Sequence, residues 1–193
     1  PDFHGPPVRN AGNLTPHRIG YPEHAGKSTQ ACAFGGGDCR YPREAIAGNR
    51  PTMVGYQAAG SAPFMRGEMV DHPETVATAI RIGHPQSWDQ AWKVKEESGG
   101  WFDECSDEEI LAAQKLLTSK EGIFCEPASA TSVAGALRDI KTGKIPAGSS
   151  VVCTLTGHGL KDPDTAIKQC QEGMLTVDAS LDAVKDAIVS NLT

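Results

Sequence analysis

The residues best suited to chemistry lie in Val151-Val-Cys-Thr-Leu-Thr-Gly-His-Gly-Leu-Lys-Asp-Pro-Asp164. The stretch opens on a β-branched and apolar run, Val151 to Leu155, which reads as a buried strand. It breaks into Gly157-His158-Gly159, which can turn the chain sharply and let a ligand approach the backbone. Thr156 stands at the strand end and offers one neutral hydroxyl. In an α/β protein such a strand end, at the carboxyl edge of the sheet, is where ligands bind. The plain alternative is an ordinary strand end with a tight turn.

A second stretch, Val8-Arg-Asn-Ala-Gly-Asn-Leu-Thr15, gathers small and amide residues ahead of a helix. Successive backbone N–H groups in such a turn can form an anion nest, and a helix start adds a favourable dipole. Taken alone, the same residues also make a plain surface turn. The triplet Gly35-Gly36-Gly37 has no Gly-Lys-Ser/Thr after it, so it is a weak phosphate-loop signal. Gly157-x-Gly159 lacks the third glycine of a dinucleotide fingerprint. None of the six cysteines forms a Cys-x-x-Cys pair, so no zinc site is read and no metal is expected. Cys125 and Cys153 sit in apolar runs and read as small buried hydrophobes. Cys32 and Cys39 could pair across a loop, but a reduced intracellular compartment is the default.

The net charge of −6, with no basic stripe, argues against nucleic acid as a partner. No apolar run approaches the roughly 20 residues that span a bilayer. Pro1-Asp-Phe-His-Gly-Pro-Pro7 has neither the charged start nor the apolar centre of a signal peptide. The expected location is cytoplasmic, or a plastid if the source is a plant.

These residues must be positioned by strands and helices. Met53 to Gln57 reads as a short strand, followed by the small residues Ala58 to Ala62. Pro73 to Gly83 suits either helix or strand. Ser87 to Glu97 reads as a helix stopped by Gly99-Gly100, with Trp88 and Trp92 on one packing face. Trp101 to Cys105 is a strand. Ser106 and Glu109 form a capping box for a helix from Asp107 to Ser119, ended by Gly122. Ile123 to Cys125 is a further short strand. Pro127 opens a helix to about Lys141, stopped at Gly143. A last helix runs from Leu181 to about Asn191. Strand and helix alternate, which predicts an α/β fold with a mainly parallel sheet flanked by helices. Residues 25–50 read as a long irregular loop.

Five stretches occur in a specific order: Asn10-Ala-Gly-Asn13, Gln57-Ala-Ala-Gly60, Glu74-Thr-Val-Ala-Thr-Ala-Ile-Arg-Ile-Gly83, Glu126-Pro-Ala-Ser-Ala130 and Leu155-Thr-Gly-His-Gly-Leu-Lys-Asp-Pro163. Together they resemble the threonine synthase family, pyridoxal-phosphate lyases of fold type II. The resemblance covers nearly the whole chain after Pro7. It skips Gln30 to Asn49, where this chain carries roughly 20 extra residues. It implies a tryptophan synthase β-like fold, incomplete here, with residues 1–193 as a C-terminal portion.

The resemblance also implies roles. The family's phosphate loop, Gly-Asn-Ala-Gly-Asn, falls on Arg9, Asn10, Ala11, Gly12 and Asn13. If the position of Arg9 needs a left-handed backbone, arginine costs about 1 kcal/mol. Its guanidinium could instead add phosphate affinity. Pro16 is expected to distort the start of the following helix. Thr156 matches the hydroxyl that faces the pyridine nitrogen, and a neutral hydroxyl suits an unprotonated nitrogen. Ala79 matches a residue packed near the cofactor ring. Glu126 falls close to the site, with no proton-transfer role assigned. The family's Schiff-base lysine lies in a Ser-Phe-Lys-Asp-Arg type motif, and no such motif occurs in this sequence. The Ser-Thr-Gly-Asn type segment is absent too. Lys161 belongs to the family's Gly-Leu-Lys-Asp segment, which is not the Schiff-base site. No catalytic residue is therefore assigned within this chain.

The implied reaction converts O-phosphohomoserine and water into threonine and phosphate, in a homodimer. A related reading is another fold type II enzyme such as threonine dehydratase. The alternative from a different class is a catalytically silent binding or assembly module. An upstream coding segment with the lysine motif would separate the two. The loop gives a test of its own. Deleting residues 30–49 should leave thermal stability nearly unchanged, because the segment has no apolar period. A large drop in the unfolding midpoint would show that it packs into the core.

Overall fold

Four short strands are the frame on which the loops of interest are hung. The computed structural model describes residues 1–24, 50–170 and 175–191. The expected loop at 30–49, with Cys32, Cys39 and the glycine triplet, lies outside the described residues. Strands β1 (Phe3–Gly5), β2 (Thr52–Ala58), β3 (Trp101–Cys105) and β4 (Val151–Cys153) form one sheet in the order β3-β2-β1-β4. Every pairing is parallel. Phe3 lies opposite Thr52 on one side and Val151 on the other, and Val54 lies opposite Trp101. The chain divides into two units, Pro1–Lys161 and Asp162–Thr193.

In the first unit, side chains of β2 alternate between two layers, as the pleat requires. Met53 joins Val8, Ala11, Leu14, Phe64, Ala91, Val94 and Phe102. That layer includes helices α1 (Leu14–His24) and α3 (Trp88–Ser98), which pack together. Phe64, in the short helix α2 (Pro63–Arg66), stacks on Trp88 at 4.6 Å and on Phe102 at 4.5 Å. Trp92 meets the Phe64 ring at 5.9 Å, edge-on. Aromatic pairs of this kind add roughly 0.5–1.5 kcal/mol each beyond their buried area. This is the packing role expected of Trp88 and Trp92.

Val54 and Tyr56 face the other layer, which holds α4 (Asp107–Leu116) and α5 (Pro127–Lys141). A Cβ at Gly135 would fall 2.1 Å from the Tyr56 ring, so only glycine lets α5 approach this closely. The capping box forms as expected: Ser106 Oγ accepts from the Glu109 N–H, and Glu109 accepts from the Ser106 N–H. Helix α4 then widens into a π turn, Leu117–Glu121, and stops at left-handed Gly122.

The structure departs from the sequence reading in several places. Strand β1 was not expected, since three residues before Pro6-Pro7 carry no readable period. Strand β4 covers only Val151–Cys153, and Val152 is 40 % exposed, so the run is not the buried strand expected. It stands at the end of the strand order, with β1 as its one neighbour in the sheet. Pro73 to Gly83 is neither helix nor strand but irregular chain with one turn at Thr78–Ile80. Asp107 explains this locally: its carboxylate accepts from Thr75 Oγ1 at 2.5 Å and from the Val76 N–H at 3.1 Å, holding the chain to the start of α4. Ile123 to Cys125 forms no strand; Cys125 makes only an isolated bridge to His158. Pro16 lies in the first turn of α1, where its missing N–H costs nothing, and the helix forms.

The second unit holds α6 (Pro163–Cys170) and α7 (Leu181–Ser190). Helix α6 was not expected, although Asp162 Oδ1 accepts from the Thr165 N–H and Pro163 takes the first helical position. Ser180 caps α7 by accepting from the Ala183 N–H at 3.2 Å. Among the described residues, no helix is long and apolar enough to cross a membrane. No group of His, Cys, Asp and Glu among them is placed to hold a metal.

A buried histidine makes the first unit sensitive to acid. His4 of β1 is 2 % exposed, and its Nε2 lies 2.7 Å from Thr154 Oγ1. Its ring meets that of His17, on α1, at 4.5 Å. Burial, then the neighbouring His17 charge, push His4 down from 6.5 to about 4. His17 is also lowered by burial. Unfolding returns His4 to its ordinary value, so the unfolded chain binds more protons between these two pH values. Stability is therefore full above about pH 6.5 and falls as the pH drops towards 4. His4 contributes on the order of 3 kcal/mol to that fall. Urea unfolding across pH 4 to 7.5 should show the fall, and His4→Gln should flatten it. Identical slopes in the two proteins would refute this origin.

Candidate functional site

The loop from Arg9 to Asn13 connects β1 to α1 and is fixed from several sides. The Val8 N–H donates to Tyr56 O at 2.8 Å, at the carboxyl end of β2. Asn13 Nδ2 reaches back to Pro7 O at 3.0 Å, and Asn10 O accepts from the Ser87 N–H at 3.1 Å. Ala11 takes the left-handed conformation, φ 60°, and is fully buried. The strain considered for Arg9 therefore falls on Ala11, at about 1 kcal/mol; Arg9 itself has an ordinary negative φ and is exposed. Among the described residues, the N–H groups of residues 9–13 donate to no acceptor. Asn13 Oδ1 is buried without a partner. Free N–H groups at the start of an 11-residue helix make a site for an anion.

The facing wall comes from the start of α5 and the chain beyond β4. Gly157 N–H donates to Ser129 Oγ at 2.8 Å, and Glu126 N–H donates to Gly157 O at 3.0 Å. Ser129 Oγ also lies 3.3 Å from Thr156 Oγ1. Ser132 Oγ donates to Thr154 O at 3.3 Å. Small hydroxyl residues on one face of α5 thus hold the 154–157 backbone, as side chains do wherever loops need fixed backbone partners. Ser61 Oγ donates to Ile80 O at 3.2 Å and fixes the turn that carries Ala79.

These walls enclose a cleft of about 250 Å³, the scale of one small ligand. It brings together Arg9, Asn10, Gly12, Asn13, Ala79 and Thr156 of the expected residues. Ala11 does not line it but lies buried in the core behind the loop. Thr156 is solvent-exposed. Two charged residues join the lining without an assigned role, Glu126 and Lys161. Glu126 is 5 % exposed and Lys161 is exposed. In the sequence, Glu126 is tied to the site only by the family resemblance. The wall chemistry is asymmetric: free N–H groups and a guanidinium suit a phosphate, and a neutral hydroxyl suits a nitrogen acceptor.

A parallel sheet with such a cleft at its carboxyl edge is the fold of type II pyridoxal-phosphate enzymes. The solved threonine deaminase isoform 2 of Solanum lycopersicum superposes with a TM-score of 0.64 at 15% identity, covering 90% of this chain and 45% of that one. The model of the pyridoxal-phosphate dependent enzyme family matches residues 32–157, and the chain belongs to that family. The matched residues include Ala79, Glu126 and Thr156. Over 168 residues the chain is 48% identical to the threonine synthase of Synechocystis sp., covering 87% of this chain and 39% of that protein. It is 50% identical over 168 residues to the threonine synthase of Mycobacterium tuberculosis, covering 87% of this chain and 42% of that protein. The chain thus spans less than half the length of these relatives.

Ser129 is the side chain on which the Thr156–Gly157 wall depends. Ser129→Ala removes the acceptor of the Gly157 N–H and leaves that group partly buried and unpaired. The expected loss is about 1–2 kcal/mol of stability, read by chemical unfolding. A loss no larger than at an exposed serine would mean that water replaces the hydroxyl at no cost.

Proposed function

We propose that this chain forms part of a threonine synthase, which converts O-phosphohomoserine and water into threonine and phosphate with pyridoxal 5'-phosphate. The observation that carries the reading is the single cleft in which the Arg9–Asn13 loop faces Thr156. The residues present fit the cofactor. The N–H groups of residues 9–13 and the start of α1 would hold its phosphate, with Arg9 adding charge from the exposed side. Thr156 would donate its hydroxyl to the ring nitrogen, and Ala79 would pack near the ring. When bound, pyridoxal phosphate supplies an electron sink for carbanion charge next to its reactive carbon. The chain's own part is to bind and orient: phosphate at the nest, ring edge at the Thr156 wall. The proton-moving lysine of the family has no matching motif in these 193 residues. On this reading it lies in an upstream segment, and the working enzyme is a cytoplasmic homodimer.

A silent binding module remains the second reading, favoured by that missing lysine motif. One set of measurements separates them. The purified chain should bind pyridoxal phosphate weakly and release no phosphate from O-phosphohomoserine, because loss of one catalytic partner removes orders of magnitude in rate. Supplying the upstream portion of a threonine synthase should restore phosphate release and threonine formation. Turnover by the chain alone, with a lysine among these residues trapped on the cofactor by borohydride, would overturn the reading. Binding without any turnover in the reconstituted mixture would favour the silent module.

A further inference from the structure

Ser129 and Ser132 fix residues 154–157 to α5. The anion loop, however, issues from β1 and runs into α1. The span of the cleft therefore also depends on how the chain beyond β4 is tied to β1 and α1. Thr154 makes that connection. Its N–H donates to Gly5 O at 3.3 Å, a long bond, and its Oγ1 lies 2.7 Å from His4 Nε2, a short one. His4 lies opposite Val152 in the register, so Thr154, two residues on, is its diagonal neighbour on the same face.

The imidazole is itself held in place. It is 2 % exposed and meets the His17 ring of α1 at 4.5 Å, edge-on. A path of contacts thus runs from the helix that the anion loop opens, through His17, His4 and Thr154, to Thr156. Leu155, between the two threonines, packs against the cluster that holds Ile110 and Ala134, so a shift of Thr154 is passed on rather than absorbed. At this burial, water replaces the His4–Thr154 bond poorly. The phosphate end of the cleft is fixed separately, through the bonds of residues 8–13 to Tyr56, Pro7 and Ser87.

We propose that His4 is a positioning residue for Thr156: through Thr154 it holds that wall where the Thr156 hydroxyl meets the ring nitrogen of a ligand seated in the anion loop. The proposal rests on the cofactor reading above, in which that nitrogen is the cofactor's.

The test follows both ends of one ligand. 4-Deoxypyridoxine 5'-phosphate, labelled with nitrogen-15 in the ring, keeps the phosphate and the ring nitrogen and lacks the aldehyde, so its binding needs no lysine. Spectra are taken on the full 193-residue chain at saturation, at a pH where the free ring nitrogen carries no proton. In the wild type both signals should move on binding, nitrogen reporting the Thr156 bond and phosphorus the anion loop. In His4→Leu the nitrogen signal should return at least half-way to that of the free probe. The phosphorus signal should keep its bound wild-type position, and affinity should fall about fivefold. Thr154→Val, close in shape, should do the same. His4→Gln, whose amide can reach the Thr154 hydroxyl, should recover most of the nitrogen shift. Nitrogen and phosphorus signals that stay unchanged in His4→Leu, or that move together, overturn the positioning role and leave the cofactor reading standing. Saturable binding that leaves the wild-type nitrogen signal at its free position also overturns the role. Should His4→Leu fail to fold by circular dichroism, Thr154→Val decides on the same two signals. No saturable binding to the wild type overturns the cofactor reading, and this role with it.

Discussion

Asp139 is the buried anchor between the sheet and helix α5. It lies on α5, is 2 % exposed, and accepts from Tyr56 Oη at 2.8 Å and from Trp101 Nε1 at 2.9 Å. Tyr56 belongs to β2 and Trp101 to β3, so one carboxylate ties two strands to one helix. Burial first, and then the bond to Asp139, push the Tyr56 hydroxyl far above its ordinary value, so it stays a donor. Two donors on one charged acceptor satisfy much of a carboxylate that would otherwise be expensive to bury. Gly135, one helical turn before Asp139, brings α5 down onto the Tyr56 ring and makes the short bonds reachable.

The cleft inherits its geometry from that anchor. With α5 fixed against β2, its N-terminal part, from the preceding Glu126 to Ser132, meets the chain beyond β4. The Ser129 and Ser132 hydroxyls, with His4 and the Glu126 N–H, then hold residues 154–157. On the opposite side, β2 also holds Val8 through Tyr56 O, so one residue serves both walls. Rigid strands and a docked helix place each loop, and the loops carry the chemistry.

The sequence was informative wherever local chemistry decides structure. Ser106 and Glu109 marked a helix start because capping is a short-range contact. Gly99 and Gly122 marked helix ends because both need a left-handed backbone. On local chemistry the Asn10–Asn13 loop reads as a plain turn and Thr156 as an ordinary strand end; the order of five stretches along the chain, through the family resemblance, is what made them candidates. What stayed hidden depends on distant partners. Strand β1 exists only because β2 and β4 flank it. The chain from Pro73 to Gly83 is shaped by Asp107, far along the sequence. Glu126 was visible as a residue, but its place against Gly157 is a fact of three dimensions.

The central place of β1 has a consequence for how the chain acquires its cleft. His4 and Thr154 touch across 150 residues of sequence. Strand β4 pairs with β1 and with no other described strand. Parallel pairing over such a span is slow, since the entropy of closing the loop is lost before any contact is gained. The anion loop is made well before the wall that faces it. In the interval the chain carries half a cleft. Affinity for any ligand that bridges both walls should arise abruptly, late, and together with the closing of the sheet.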